Sequence, residues 1–198
     1  MIVKPNSLYK VTASLLNSWA YMFECKPEYA DDAYQSFLNT LARIKTPPNK
    51  YMLAGIEFEK KVYDGNVDVL SELCKDGAFQ VYIEKEYQIQ ELPIKVLGYI
   101  DVLKEGVIYD IKRVTKYDVG KYFWSRQHHV YMNLVPEAKE FAYLAAAGYK
   151  DDNIEIHTEI YRREEIIDLE QIINEFFRWL KVNGLFKEYL KHWDISKK

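Results

Sequence analysis

The chain has 198 residues, 48% hydrophobic and 29% charged, an ordinary soluble globular composition that suits a single domain, residues 1–198, with a substantial core. The net charge of −3 gives no global attraction to nucleic acid. No apolar run reaches the length of a membrane span, and the start MIVKPNSLYK lacks the apolar segment of a secretory signal.

From Thr12 to Phe23, the residues Leu15, Leu16, Trp19, Met22 and Phe23 recur at helical spacing, with Thr12 or Ser14 as the cap. A second helix is predicted from Glu28 to Ile44, with Ala30, Ala33, Phe37 and Leu41 on one stripe; Pro47-Pro48 ends it. A third spans Tyr51 to Tyr63. Gly55 inside it costs about 1 kcal/mol relative to alanine, and close approach of the helix backbone to another element is one reason for it. On that reading Gly55 marks the face turned to the sheet, with Ile56 and Tyr63 flanking the buried side. Glu59 lies one turn along the same face, whereas Glu57 points about 200° away, toward Lys60, Lys61 and solvent. A short helix, Val67 to Cys74, precedes a turn at Asp76-Gly77. The cysteines, Cys25 and Cys74, stand in no CxxC spacing, which argues against a disulfide, a zinc site or an iron–sulfur cluster and fits a cytoplasmic home.

Strand patterns begin at Ala78 and run to Gln90. Pro93 to Leu103 and Val107 to Arg113 follow, joined as a hairpin by Glu105-Gly106. Asp118 to Leu134 is predicted helical. Phe141 to Ala147 and Ile154 to Tyr161 read as strands separated by Gly148 to Asn153. Arg163 to Val182 reads as an amphipathic helix and Leu185 to Trp193 as a short terminal one. Helices, three strands, a helix, two strands and a helix predict an α/β domain with a mixed central sheet flanked by helices.

The chemistry concentrates between Gly98 and Tyr131. Two predicted strands carry one acid each, Asp101 and Asp110. Alternation puts Asp110 and Lys112 on one face and Ile111 on the other, and the hairpin brings Asp101 beside them. Paired carboxylates suit a hard divalent cation, and a lysine next to them suits phosphodiester hydrolysis. The pattern D/E-x-K is weak alone: it also occurs at Glu24-Cys25-Lys26, Glu59-Lys60-Lys61 and Glu137-Ala138-Lys139. Only the Asp110 copy lies on a strand next to a second acid-bearing strand. Between Lys112 and Arg126 five basic residues (Lys112, Arg113, Lys116, Lys121, Arg126) stand against one acid, Asp118. Such a stripe steers a phosphate backbone or is a solvated face.

Gly98-x-x-Asp101, Asp110-x-Lys112 and Gln127-x-x-x-Tyr131, with Gly55-x-x-x-Glu59 upstream, together resemble the PD-(D/E)xK nuclease superfamily. The nearest likeness is to its RecB-like branch, which includes phage-type exonucleases, and it covers about residues 12 to 161. The resemblance implies a restriction-endonuclease-like core. It also implies a metal-dependent DNA nuclease, an exonuclease of recombination, repair or phage DNA processing, using one or two Mg²⁺ or Mn²⁺ ions. It makes Glu59, Asp101 and Asp110 the metal-binding carboxylates, the carbonyl of Ile111 a further ligand and Lys112 the catalytic lysine. Gln127 and Tyr131 would hold DNA near the site, with Arg113, Lys116, Lys121 and Arg126 on its phosphates. Many members carry histidine where this chain has Glu59; an all-oxygen ligand set suits Mg²⁺ at least as well as Mn²⁺. The four cysteines of the iron–sulfur branch and a helicase-partner motif are absent. A stand-alone nuclease without a cluster is therefore expected, with a homo-oligomer or a recombination partner protein left open.

Two alternatives remain on the sequence: a catalytically inactive nucleic-acid-binding module on the same fold, and a structural protein with an accidental motif. Members that lose catalysis usually lose the lysine or an acid, and here all are present. His128 and His129 point about 100° apart on a helix and do not pair as metal ligands; they are expected to be partly exposed and structural. Tyr122, Phe123 and Trp124 suit either packing in a core or stacking on bases.

Overall fold

Strand β5, Glu140–Ala147, lies at the centre of the sheet, and every residue from Phe141 onward is buried. An uncharged FAYLAAA run suits a strand covered on both faces. The computed structural model describes residues 7–148 and 154–196. The predicted turn after Gly148 and the segment MIVKPN lie outside the described residues.

β5 pairs in parallel with β4 (Val107–Val114) and antiparallel with β6 (Glu155–Arg162). β3 (Leu92–Lys104) is antiparallel to β4 and carries β2 (Ala78–Ile89) along its other side. β1 (Tyr9–Thr12) runs parallel to the start of β3, completing a mixed sheet of six strands among the described residues. On one face lie α1 (Ala13–Glu24), α2 (Ala30–Leu41), α5 (Gln127–Leu134), α6 (Leu169–Val182) and α7 (Phe186–His192), packed with Phe141, Tyr143 and Ala145. On the other, α3 (Lys50–Tyr63) and α4 (Asp68–Cys74) pack Phe58, Val62 and Leu70 against Leu144 and Ala146. Successive β5 residues thus serve opposite faces, as the pleat requires. The predicted α/β class with a central mixed sheet holds. Among the described residues no helix is long and apolar enough to cross a membrane.

Local chemistry explains most element ends. Thr12 Oγ1 accepts the Leu15 N–H at 3.2 Å and starts α1. Glu105 and Gly106 take φ 51° and 81°, the left-handed pair that a two-residue hairpin needs. Three expectations need correction. β1 escaped notice because four residues carry too little alternation to read. The helix predicted from Asp118 begins only at Gln127. Gly120 sits at φ 76°, and Asn17 Oδ1 takes the Arg126 N–H at 2.6 Å while Ser125 Oγ takes that of Gln127 at 3.2 Å. The helix predicted from Arg163 begins at Leu169. Asp168 caps it by accepting from Glu170 and Gln171, and Arg163 instead binds the carbonyls of Met132, Val135 and Ala138 at the end of α5.

Candidate active site

A gap beside β3 forms the site. β2 lines one side of this strand. On the other side β1 pairs with Ile94–Leu97 and β4 with Val102–Lys104, so among the described residues no strand pairs with 98 to 101 there. β4 stays paired with β5 as far as Val114 and Ala147. Backbone groups left in such a gap need other partners, and two motif side chains enter it. Asp101 Oδ2 accepts the Ile111 N–H at 2.9 Å. The Tyr131 hydroxyl lies beside the Tyr99 backbone, and its ring covers Gly98. A Cβ at position 98 would lie 2.5 Å from Tyr131 Cε1 and 3.1 Å from its hydroxyl oxygen. Gly98 is therefore glycine because an aromatic ring occupies the space of a side chain.

A second irregularity falls at the same place. The β2–β3 ladder skips the Gln80–Asp101 position, and Gln80 is left-handed at φ 51°. Ile100 belongs to the larger core cluster and Val102 to the smaller, so side-chain alternation breaks at Asp101. Gln80 Nε2 donates to the Tyr63 hydroxyl at 2.8 Å, which ties the end of α3 to this point.

Asp110 is the buried centre, 2% exposed. Its Oδ1 accepts from Gln127 Nε2. Its Oδ2 has no well-angled hydrogen bond and faces Lys112 Nζ at 2.6 Å. The Lys112 side chain is 32% exposed, so part of it reaches solvent while its ammonium lies on a buried carboxylate. Gln127 also lies beside the Tyr131 hydroxyl. Gln127 and Tyr131, one turn apart on α5, thus link Asp110 to the β3 backbone.

Burial and mutual repulsion set the charges. Burial first, then Asp110, push the Asp101 carboxyl up to about 7 against the pull of Lys112 and the Ile111 N–H. Burial also raises Asp110, opposed by Lys112 and Gln127. Glu59 is raised by burial, with Lys112 opposing and Asp110 adding to the shift. Burial works against the charge on Lys112, yet Asp110, Asp101 and Glu59 outweigh it and hold its pKa above the ordinary lysine value. The three acids and the lysine thus share one electrostatic neighbourhood.

The two glutamates of α3 separate as expected, but not for the expected reason. Glu57 is exposed and pairs with Lys61 at 3.3 Å, whereas Glu59 is half-buried and senses Lys112 and Asp110. A Cβ on Gly55 would meet nothing within 4 Å, and Ile56 is 60% exposed. Gly55 therefore marks no close approach. The buried face of α3 is made by Phe58 and Val62, and Glu59 borders it.

The predicted basic residues differ among themselves. Arg113 turns its guanidinium onto the carbonyls of Val114, Ala146 and Gly148 and lies over the Phe58 ring. Exposed Lys116 pairs with Asp118 at 2.6 Å, and Lys121 Nζ donates to the Lys116 carbonyl. Arg126 starts α5 beside Gln127. His128 and His129 are buried, contrary to expectation. His128 stacks on Tyr161 and shares a hydrogen bond with the Tyr143 hydroxyl, and His129 Nδ1 accepts the Ile167 N–H. Burial pushes their pKa values down to about 2 and about 4. Tyr122 is buried and stacked on Tyr143, whereas Phe123 is 78% exposed. Tyr63 and Asn17 were missed as contributors. The Tyr63 position, one turn past Glu59, was the available signal; Asn17 gave none.

An oxygen-only set of buried carboxylates that raise one another's pKa suits a divalent cation, which would relieve both repulsion and burial. Among the described residues no three His, Cys, Asp or Glu side chains are gathered around one point; the Lys112 ammonium lies on Asp110 instead.

No protein-family model and no curated protein matches the sequence. Solved structures do match the fold. One is a putative exonuclease from Eubacterium rectale, with 15% identity, 89% of this chain and 82% of that chain covered, and a TM-score of 0.59. Another is an alkaline exonuclease from Laribacter hongkongensis, with 16% identity, 92% and 91% covered, and a TM-score of 0.54. The same Laribacter protein in complex with dAMP gives 14% identity, 88% and 89% covered, and a TM-score of 0.51. At these identities the likeness is one of fold, and the fold this chain shares is that of solved exonucleases.

Proposed function

We propose that this protein is a metal-dependent deoxyribonuclease of the PD-(D/E)xK type, an exonuclease of the RecB-like branch. The observation that carries the proposal is the opened β3–β4 junction. It collects Asp101, Asp110, Lys112, Gln127 and Tyr131 in one network on a fold shared with exonucleases.

Glu59, Asp101, Asp110 and the Ile111 carbonyl would hold Mg²⁺ or Mn²⁺. Once bound, the ion supplies Lewis acidity toward the phosphate and a lowered pKa for water. The residues do the rest. Lys112 stays protonated at neutral pH, orients the attacking water and offsets charge building on the phosphate oxygens. Gln127 holds the Asp110 carboxylate in one orientation. Tyr131 holds the β3 backbone at Tyr99 and keeps the gap open. Lys116, Lys121 and Arg126 would contact the phosphate backbone of the DNA. In-line attack by water with the 3′-oxygen leaving gives a 5′-phosphate end.

Purified protein should degrade linear DNA with Mg²⁺ or Mn²⁺, stop with EDTA and spare closed circles. Cutting of circles would make it an endonuclease. DNA binding without cleavage by either metal would favour an inactive binding module, the reading that the dispersed acids and the Lys112–Asp110 pair support.

A further inference from the structure

A cavity of about 210 Å³ opens between the C-terminal half of α1 and the loop before α5, lined by Trp19, Phe23, Glu24, Phe123, Trp124 and Arg126. We propose that it takes an unpaired nucleobase of a DNA strand whose backbone runs to Asp110; the proposal rests on the nuclease reading and names its substrate class as a strand with unpaired bases.

Three observations carry it. The first is composition. Four of the lining side chains are aromatic, and Phe123 and Phe23 are largely exposed. Large aromatic faces left in water are unfavourable, and any nucleobase can stack on them. The second is hydrogen-bonding capacity. Arg126 and Glu24 both line the cavity. A guanidinium donor and a carboxylate acceptor match the ring nitrogens, carbonyl oxygens and amino groups at a base edge. The third is position. Arg126 directly precedes Gln127, which donates to Asp110. Asn17 of α1 fixes this junction by accepting the Arg126 N–H at 2.6 Å. One wall of the cavity is therefore a single residue along the chain from the side chain bonded to Asp110, and Asn17 ties α1 to that point.

Binding can be read without cleavage. Fluorescence anisotropy, with EDTA present, would compare a short single-stranded oligodeoxynucleotide with an abasic strand of the same length. The intact protein should bind the base-bearing strand about ten-fold more tightly. Phe123→Ala and Trp124→Ala should each shrink that preference and leave affinity for the abasic strand alone. An unchanged melting temperature in Phe123→Ala, expected for so exposed a side chain, shows that the fold is intact. Equal affinity of the intact protein for both strands would overturn the proposal. So would a preference that survives both substitutions, or free dAMP bound as tightly as the strand, which would make the cavity a product site. A protein that cuts DNA but shows no base preference sinks this proposal alone; one that keeps the preference but never cuts sinks the nuclease reading alone.

Discussion

The two sides of β4 behave in opposite ways. Toward β5 it pairs through eight consecutive positions, from Val107 to Val114. Toward β3 it pairs through three, and the ladder stops at Tyr109. On the face toward α3 and α4, Ile111 packs with Leu144 and Ala146 in an apolar cluster. On the opposite face, beside the gap, Asp110 and Lys112 meet Gln127 and the Asp101 neighbourhood. A central strand thus carries a charged pair where its ladder opens and side chains replace backbone partners. The fully paired side holds the fold, and the open side holds the candidate site.

Substitutions on each side should break this contrast in different ways. The largest effect is expected at the two extremes. Asp110→Asn should lower cleavage by on the order of 100-fold or more without lowering the metal-free melting temperature, because a costly buried charge is removed. Leu144→Ala should do the reverse, destabilising by about 2–5 kcal/mol with activity per folded molecule retained. Melting curves beside a cleavage assay check both. Next, Glu59→Gln should weaken metal binding and activity by roughly 10- to 100-fold, and Glu57→Gln should change neither. Isothermal titration with Mn²⁺ ranks the pair, and the opposite ranking would mean that α3 presents its other face. Gly98→Ala should displace Tyr131 and cost about 1–3 kcal/mol together with much of the activity; denaturant titration measures the first part.

The smallest effect concerns the closed, buried side of α5. His128 and His129 have folded pKa values of about 2 and about 4, below the ordinary value of 6.5. The unfolded chain takes up protons first as pH falls, so their contribution is complete above about 6.5 and is lost below it. By pH 5 the loss assigned to His129 is about 2 kcal/mol. His129→Gln should therefore lose less stability than the intact protein between pH 7 and pH 5. Parallel losses would leave His129 out of the acid limb.

Much of this was legible in the sequence, and what was not has physical causes. Long strands and amphipathic helices announced themselves by periodicity, and the turn at Glu105-Gly106 by its residues. Asp101, Asp110, Lys112, Gln127 and Tyr131 were recognisable by type and spacing, and the structure joins them. Gly98 could be picked out as part of a motif, but its reason, the Tyr131 ring, is a contact 33 positions away in sequence. The start of α5 depends on Asn17, more than a hundred residues earlier, and no local pattern contains that. Gly55 misled because a helix glycine was assumed to face something, and it faces open space. The burial of the two histidines depends on Tyr161 and Ile167 arriving from later elements.

The central claim, that the open side of β4 is a hydrolytic centre, is tested most directly at Lys112. Its ammonium lies 2.6 Å from Asp110 Oδ2 and is assigned to the transition state, not to the metal. Cleavage rate and Mn²⁺-induced thermal shift should be measured together on the intact protein and on Lys112→Ala. The account predicts turnover lowered by on the order of 100-fold or more with the thermal shift retained or enlarged, since the cation competing for Asp110 is gone. Lys112→Ala cutting DNA at the rate of the intact protein would contradict it.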